Sequence, residues 1–352
     1  MGHMGTSERV MVYGAAGHTG RFVVDEVRRR GLTPVMAGRS AARLVDAAHR
    51  HDGLEQRAVG LGDPDLLRQA IEGLDVVVNC AGPFLDTALP LATAAVAAGA
   101  HYLDVTAEQS VVAELYRELD RPARAAGVAV VPAMAFYGGL ADLLVTDALD
   151  GQTSADAVEI AIGLDRWWPT AGTRVTGARN TATRQVIRDG VLAPLPDPAP
   201  TSTWSYPQPL GIQPVVQVPF SEVFTISRHL RVGELISYLN SSALADLRDE
   251  STPPPSATDE TGRSAQRFVV DIAVRRGAAT RRLTASGRDI YAVTAPIVAE
   301  GAVRLLHGRH AVGAVAPGEA YDAADVLAAL TAHPAGLTVD TARQPSAASP
   351  TI

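Results

Sequence analysis

The run Val10-Met11-Val12-Tyr13-Gly14-Ala15-Ala16-Gly17-His18-Thr19-Gly20 constrains this chain more than any other stretch. An apolar segment enters three glycines spaced G-x-x-G-x-x-G, and residues 21–29 continue with helical periodicity. Strand, tight turn and helix in that order open a dinucleotide-binding unit. Gly14 permits the sharp turn, Gly17 lets the backbone approach a pyrophosphate, and Gly20 lets helix and strand pack closely. Unpaired amides at the helix start, with the positive end of its dipole, then hold phosphates. The candidates in this turn are Gly14, Ala16, Gly17, His18, Thr19 and Gly20. A glycine triplet alone is weak, but residues 33–37 read as a second strand ending in Gly38-Arg39-Ser40. There, near where an NAD binder would place an acidic residue, the chain offers a guanidinium and a hydroxyl. Both suit a 2′-phosphate and neither grips a free 2′-hydroxyl. The expectation is an NADP(H) site; the alternative is a domain of this type that has lost its cofactor.

At 352 residues the chain exceeds a usual single domain, so two are expected. A net charge of −7 argues against nucleic acid as the main partner. No apolar stretch reaches membrane-spanning length, the N-terminus lacks the regions of a signal peptide, and a cytoplasmic location is expected. Met1-Gly2-His3-Met4 has the look of a cloning remnant. The single cysteine, Cys80, has no partner for a disulfide or a zinc cluster. His49/His51 and His307/His310 lack a third ligand, so no metal is expected. All 31 basic residues are arginine. A lysine Schiff base, a lysine general acid and a Tyr-x-x-x-Lys dyad are thereby excluded.

Strand and helix alternate through the first part of the chain, which describes a doubly wound parallel sheet. Residues 41–49 suit a second helix and 54–61 a third strand. Asp63 stands where such folds often meet the adenine, or else caps the helix 66–72. Residues 74–80 form an apolar run fit for a strand buried on both faces, and it opens into Ala81-Gly82-Pro83-Phe84. A loop of small residues with a rigid proline, just beyond a strand's carboxyl end, can lie against a cofactor. Cys80 reads as a small core residue rather than a nucleophile. A helix from 86 to 99, a strand 101–105, a helix 111–126 and a strand 128–131 complete the unit. Residues 132–139 break the rhythm where a cleft between domains would open. Tyr137 is there either to donate a proton to substrate or to pack under the cofactor.

From residue 151 the pattern turns to strands. Val158, Ile160, Ile162 and Leu164 alternate with less apolar neighbours, as do Phe268, Val270, Ile272 and Val274. With 280–286, 215–227 and 230–239 they suggest a mostly antiparallel sheet, hence a second α+β domain. Residues 176–190 read as a helix on which Arg184 and Arg188 share a face, to bind an acidic substrate or simply meet solvent. Residues 194–209 and 251–262 read as mobile, the first alternatively as an ordered flap over the cleft, since it carries Trp204 and Tyr206. The tail from 342 reads as disordered.

The segments Gly14 to Gly20, Ala37-Gly38-Arg39-Ser40, Asn79 to Phe84, His101-Tyr102-Leu103-Asp104-Val105-Thr106-Ala107-Glu108 and Arg288 to Pro296 resemble the saccharopine dehydrogenase-like reductases, a family that includes trans-acting enoyl reductases. The resemblance implies a Rossmann domain over 1–135, a substrate and dimerisation domain over 136–287, and C-terminal helices over 288–340 that return to the first. The cofactor candidates become Gly14, Ala16, Gly17, His18, Thr19, Gly20, Gly38, Arg39, Ser40, Asp63, Cys80, Ala81, Gly82, Pro83, Phe84 and Asp104, with Tyr137 as the catalytic candidate. The helix beginning near Arg179 would face the nicotinamide. The chain departs from the family's pattern at Phe136-Tyr137-Gly138-Gly139 and at Ala107. Lacking lysine, it cannot carry the lysine and histidine pair of true saccharopine dehydrogenases. The expectation is an NADPH-dependent reductase of a C=C bond in a small or carrier-bound biosynthetic intermediate, forming a homodimer. An imine or carbonyl reductase, or a redox-inactive NADP(H) sensor, is the alternative.

Overall fold

A computed structural model describes residues 8–49, 51, 53–334 and 336–342; the remnant at Met1–Met4 lies outside the described residues, as does the tail read from 342, except for Ala342 itself, which is in a strand rather than disordered. The first part of the chain runs β1 (Arg9–Tyr13), α1 (His18–Arg29), β2 (Thr33–Gly38), α2 (Ala41–Ala48), β3 (Gln56–Ala58), α3 (Pro64–Gln69), β4 (Val76–Asn79), α4 (Phe84–Ala97), β5 (His101–Asp104), α5 (Gln109–Ala126) and β6 (Ala129–Val131). Then come α6 (Gly139–Leu149), β7 (Ser154–Leu164), α7 (Ala171–Arg179), β8 (Gln185–Arg188), β9 (Val191–Pro194), β10 (Thr201–Ser205), β11 (Ile212–Gln217), α8 (Glu222–His229), β12 (Arg231–Asn240), α9 (Ser241–Arg248), β13 (Arg267–Arg276) and β14 (Ala279–Arg288). The chain closes with α10 (Ile290–Leu306), β15 (Gly313–Ala314), α11 (Pro317–Ala320), α12 (Ala323–Thr331) and β16 (Thr338–Ala342).

The first sheet is parallel, in the order β15-β6-β5-β4-β1-β2-β3. Its valine-rich strands are buried on both faces, as crossover helices require. Val10, Val12, Val76 and Val78 face α1, α2 and α10, while Met11, Val35 and Val77 face α3, α4 and α5. α10 lies close because Gly301 has no side chain: a Cβ there would stand 2.8 Å from Leu103 Cδ2.

The second sheet runs β10-β11-β12-β7-β13-β14-β16, with β8 and β9 added beside β12. Only the β12–β7 pair is parallel among the described residues. Its alternating face of Val158, Ile160, Ile162, Phe268, Val270 and Ile272 packs into the same core as α6 and α10. The final segment serves both sheets, β15 as an edge of the first and β16 as an edge of the second.

Four expectations change. Residues 176–190 are not one helix: α7 ends at Arg179 and a β8–β9 hairpin follows, turning at Asp189-Gly190 with φ of +50° and +77°. Arg184 and Arg188 therefore share no helix face. Residues 194–209 are ordered, but away from the cleft. Trp204 Nε1 donates to Asp271 at 2.8 Å and Tyr206 OH to Ile162 O at 3.0 Å, roofing the sheet face opposite α6. Residues 215–227 hold the end of β11 and most of α8 rather than one strand. Residues 251–262 form no regular element, yet Arg174 holds Thr252 O and Arg288 pairs with Asp259.

Candidate cofactor and substrate site

The glycine turn ends β1 and is tied down by backbone alone. Gly14, at φ +86°, donates to Ala37 O at 2.8 Å, and Gly17 donates to Gly14 O at 2.8 Å. A Cβ on Gly20 would lie 2.2 Å from Gly14 O, and one on Gly14 would lie 2.9 Å from Ala81 N. Larger residues would push the turn off both β2 and the loop after β4. No side chain caps α1, its first turn holds no acid, and Arg28 and Arg29 end it. Its start, framed by Ala16, His18 and Thr19, is thus a polarised set of amides suited to an anion. The His18 ring stands edge-on to Phe22 and Tyr291 with centroids 5.5 and 5.3 Å away. Burial and the nearby Arg21 bring its pKa down to about 4, so the ring is neutral. Its Nε2 is buried without a hydrogen-bond partner.

The parallel topology brings the other candidates to the same edge, at the carboxyl ends of neighbouring strands. Arg39 is exposed just past β2 and makes no ion pair among the described residues. Burial raises the pKa of Tyr13 at the end of β1, and the Arg39 charge opposes that rise. Ser40 caps α2, accepting from Arg43 N at 3.4 Å. Asp63 proves to be the cap of α3, accepting from Asp65 N at 3.0 Å and Leu66 N at 3.1 Å; its exposed carboxylate shows that role alone. After β4, Ala81 N donates to Asn79 Oδ1 at 3.0 Å, and Phe84 N to Glu108 Oε1 at 3.0 Å. A Cβ on Gly82 would stand 2.9 Å from Thr176 Oγ1, so α7 lies against the Gly82-Pro83 stretch. Arg179 pairs with Asp86 across this contact, from the end of α7 rather than its start. Cys80 is packed beneath the turn, where burial pushes its thiol up and leaves it inert.

Asp104 corrects the sequence reading. It is fully buried and offers nothing to a cofactor. Oδ1 accepts from Ala133 N at 2.8 Å and Thr106 N at 3.0 Å; Oδ2 accepts from Tyr102 OH at 3.1 Å. Tyr102 in turn accepts from Asn79 Nδ2 at 3.1 Å, and Asn79 also donates to Thr87 at 3.1 Å. This buried relay joins the ends of β4, β5 and β6, fixing the loops that form the crevice. Desolvation raises the Asp104 pKa to about 6, against the hydrogen bonds that favour its charge.

Tyr137 lies within the break at 132–139, just before α6. Gly138, at φ +87°, turns the chain into α6. The Tyr137 ring contacts Phe136 (4.9 Å), Phe220 (4.3 Å) and Trp167 (5.8 Å). Its hydroxyl is buried with no hydrogen-bond partner, and burial holds its pKa well above 10. A donor left unpaired inside a protein costs about 1–3 kcal/mol, which marks the position as a site for an acceptor group. Tyr291, absent from the sequence-derived site, is the neighbouring hub: its oxygen takes bonds from Trp167 Nε1 (3.1 Å) and Thr170 N (3.3 Å) and meets Thr173 Oγ1 at 2.9 Å. It thereby ties α7 to α10 beside His18. The signal was present in the Arg288 to Pro296 segment, but nothing in the sequence says where it packs.

A pyrophosphate fits the uncapped α1 start and a 2′-phosphate fits Arg39, so the residues present suit NADP(H). Among the described residues no group of three or more His, Cys, Asp or Glu could hold a metal, and no helix is long and apolar enough to cross a membrane. Residues 10–131 match the family model of the saccharopine dehydrogenase NADP binding domain. A saccharopine dehydrogenase-like oxidoreductase of Bos taurus is 28% identical over 167 residues, 40% of this chain and 38% of that protein. A probable mitochondrial saccharopine dehydrogenase-like oxidoreductase of Arabidopsis thaliana is 28% identical over 142 residues, 36% and 31% of the two chains. The chain thus spans under two fifths of the length of these relatives. Apo histidine-tagged saccharopine dehydrogenase (L-Glu forming) from Saccharomyces cerevisiae superposes with a TM-score of 0.66 at 13% identity, covering 96% of this chain and all of that one, which shows a shared fold. The chain carries an NADP-binding domain of the saccharopine dehydrogenase type, is similar over part of its length to saccharopine dehydrogenase-like oxidoreductases, and shares the fold of saccharopine dehydrogenase.

Proposed function

We propose that the chain is an NADPH-dependent reductase of a polarised C=N or C=O bond in a small metabolite. The observation that carries this is the uncapped, glycine-lined start of α1 set beside an Arg39 guanidinium that has no ion pair among the described residues. Bound NADPH supplies hydride. The chain's own part is to hold the phosphates at the α1 start, to confine the acceptor under α7, and to present the unpartnered Tyr137 hydroxyl as the proton source. Glycines 14, 17 and 20, Ala16, Thr19, Gly38 to Ser40 and 81–84 are the proposed cofactor contacts.

The enoyl acceptor favoured by the sequence takes second place, because the relatives are named for saccharopine dehydrogenase, whose chemistry is reductive amination. Residues 1–135 are proposed as the cofactor domain and 136–287 as the substrate and dimerisation domain. A homodimer and a cytoplasmic location complete the proposal; "mitochondrial" and "lipid droplet localized" in relatives' names describe those proteins. The test follows the fluorescence of bound NADPH as acceptors are added. Decay with cyclic imines or keto acids supports the proposal, and decay with enoyl thioesters alone supports the second reading. Bound NADPH that no acceptor consumes makes the protein a redox-inactive binder.

A further inference from the structure

A cavity of about 160 Å³ opens between the start of α5 and the approach to β8, lined by Ala107, Ser110, Asn180, Thr183 and Arg184 among others. It sits one strand beyond the loop at 81–84, to which Glu108 joins it through Phe84 N. Its walls are fixed. Gln109 accepts from Gln185 N at 2.7 Å and donates to Gln185 O and Phe220 O at 2.9 Å each, using its whole amide. Arg184 donates through Nη1 to Pro219 O at 2.6 Å and lies over the Phe220 ring, its Cζ 5.1 Å from the centroid.

What these walls leave over defines a ligand. Once Nη1 is used, the Nε and Nη2 edge of Arg184 has no hydrogen bond, and no carboxylate comes within ion-pair distance of it among the described residues. Glu222 acts on Arg184 only through space; it is fully buried, one oxygen accepts from Phe220 N at 2.8 Å, and burial raises its pKa. Ser110, in the same lining, has a hydroxyl buried without a partner. A half-buried guanidinium with a free two-donor edge, in one cavity with a spare hydroxyl, matches the planar two-oxygen edge of a carboxylate. The Phe220 ring touches both Arg184 and Tyr137, so one aromatic ring links this arginine to the proposed proton source.

We propose that this cavity binds the carboxylate of the acceptor, with Arg184 as bidentate partner and Ser110 as the second donor. The assignment of that ligand as the acceptor rests on the reductase reading; the binding does not. The acceptor is then a small acid, and an uncharged ester or amide of it is a poor ligand.

The experiment is a saturation-transfer NMR titration of the full chain, with and without NADP+, using butyrate, butyramide and inorganic phosphate as probes. Butyrate is expected to bind at least about tenfold more tightly than butyramide, and Arg184→Gln to remove about tenfold of that affinity, as loss of a charged hydrogen-bonded pair implies. NADP+ affinity should change less than about twofold in that variant. Arg184→Lys should recover only part of the loss. Ser110→Ala breaks no side-chain bond within the protein, so it tests the site even where Arg184→Gln lowers stability; it is expected to weaken butyrate severalfold. Equal binding of butyrate and butyramide, butyrate affinity unchanged in both variants, or phosphate binding as well as butyrate would each overturn the proposal. Arg184-dependent butyrate binding in a protein that binds no NADP+ would leave this site standing and remove the reductase reading.

Discussion

Asp104→Asn separates a residue that builds the site from one that touches the cofactor. The substitution keeps size and turns a carboxylate into an amide where three donors converge, from Ala133 N, Thr106 N and Tyr102 OH. The amide nitrogen would face Tyr102, whose oxygen already accepts from Asn79, so the Tyr102 proton loses its acceptor. That loss, with the weakening of two charge-assisted bonds, costs about 1–3 kcal/mol. In the other direction the variant removes a buried charge. In the wild type, desolvation raises the Asp104 pKa from 3.8 to about 6, so the native state holds this proton more tightly than the unfolded chain. The resulting stabilisation is full below the unfolded pKa and is lost as pH rises through about 6. Between about pH 4.5 and about pH 7.5 it amounts to about 2 kcal/mol. Near neutrality the two effects largely cancel, and the variant should lie within about 2 kcal/mol of wild type. Urea unfolding at both pH values should show the wild type gaining about 2 kcal/mol relative to Asp104→Asn at the lower pH, with NADPH affinity kept within about threefold. A stability difference that does not change with pH would refute the buried-charge argument. Loss of NADPH affinity at unchanged stability would return Asp104 to the cofactor site.

Two other substitutions probe the turn and the proton source. Gly20→Ala places a Cβ 2.2 Å from Gly14 O, so the turn must move; NADPH affinity measured by fluorescence should fall at least about tenfold while far-UV circular dichroism stays native. Tyr137→Phe removes a hydroxyl with no partner, so thermal unfolding should be unchanged or slightly raised, while turnover with an accepted substrate falls by about 10²–10⁴. Unchanged turnover would leave Tyr137 as a packing residue.

The first sheet was legible because its central strands β1 and β4 are apolar runs and its glycines stand where only backbone fits. The turn from Gly14 to Gly20, Gly38 to Ser40 and the loop at 81–84 emerged together because parallel strands end on one edge. The second half resisted for local reasons. Residues 176–190 are rich in Thr, Arg and Asn without an apolar period, so nothing there distinguishes a helix from a hairpin except Asp189-Gly190. That pair, both at positive φ between Val186-Ile187 and Val191-Leu192, is the primed hairpin turn that the sequence signals and that a helical reading overlooks. β15 has two residues and joins the first sheet from far along the chain, beyond the reach of periodicity. Asp104 was misassigned because a carboxylate at a strand's end looks the same in sequence whether it meets a ligand or three buried donors. Arg184 and Ser110 were invisible as a pair, since Gln109 brings their elements together only in three dimensions.

The central claim is that the α1 start and Arg39 form an NADP(H) site. Its most direct measurement is a parallel titration with NADPH and NADH of the wild type and Arg39→Ala. The expected result is much tighter NADPH binding, with the variant losing about tenfold in NADPH affinity, the weight of one charged contact to a phosphate, and almost none for NADH. Equal loss for both dinucleotides would contradict the role of Arg39, and no binding of either would reduce the glycine turn to a structural device.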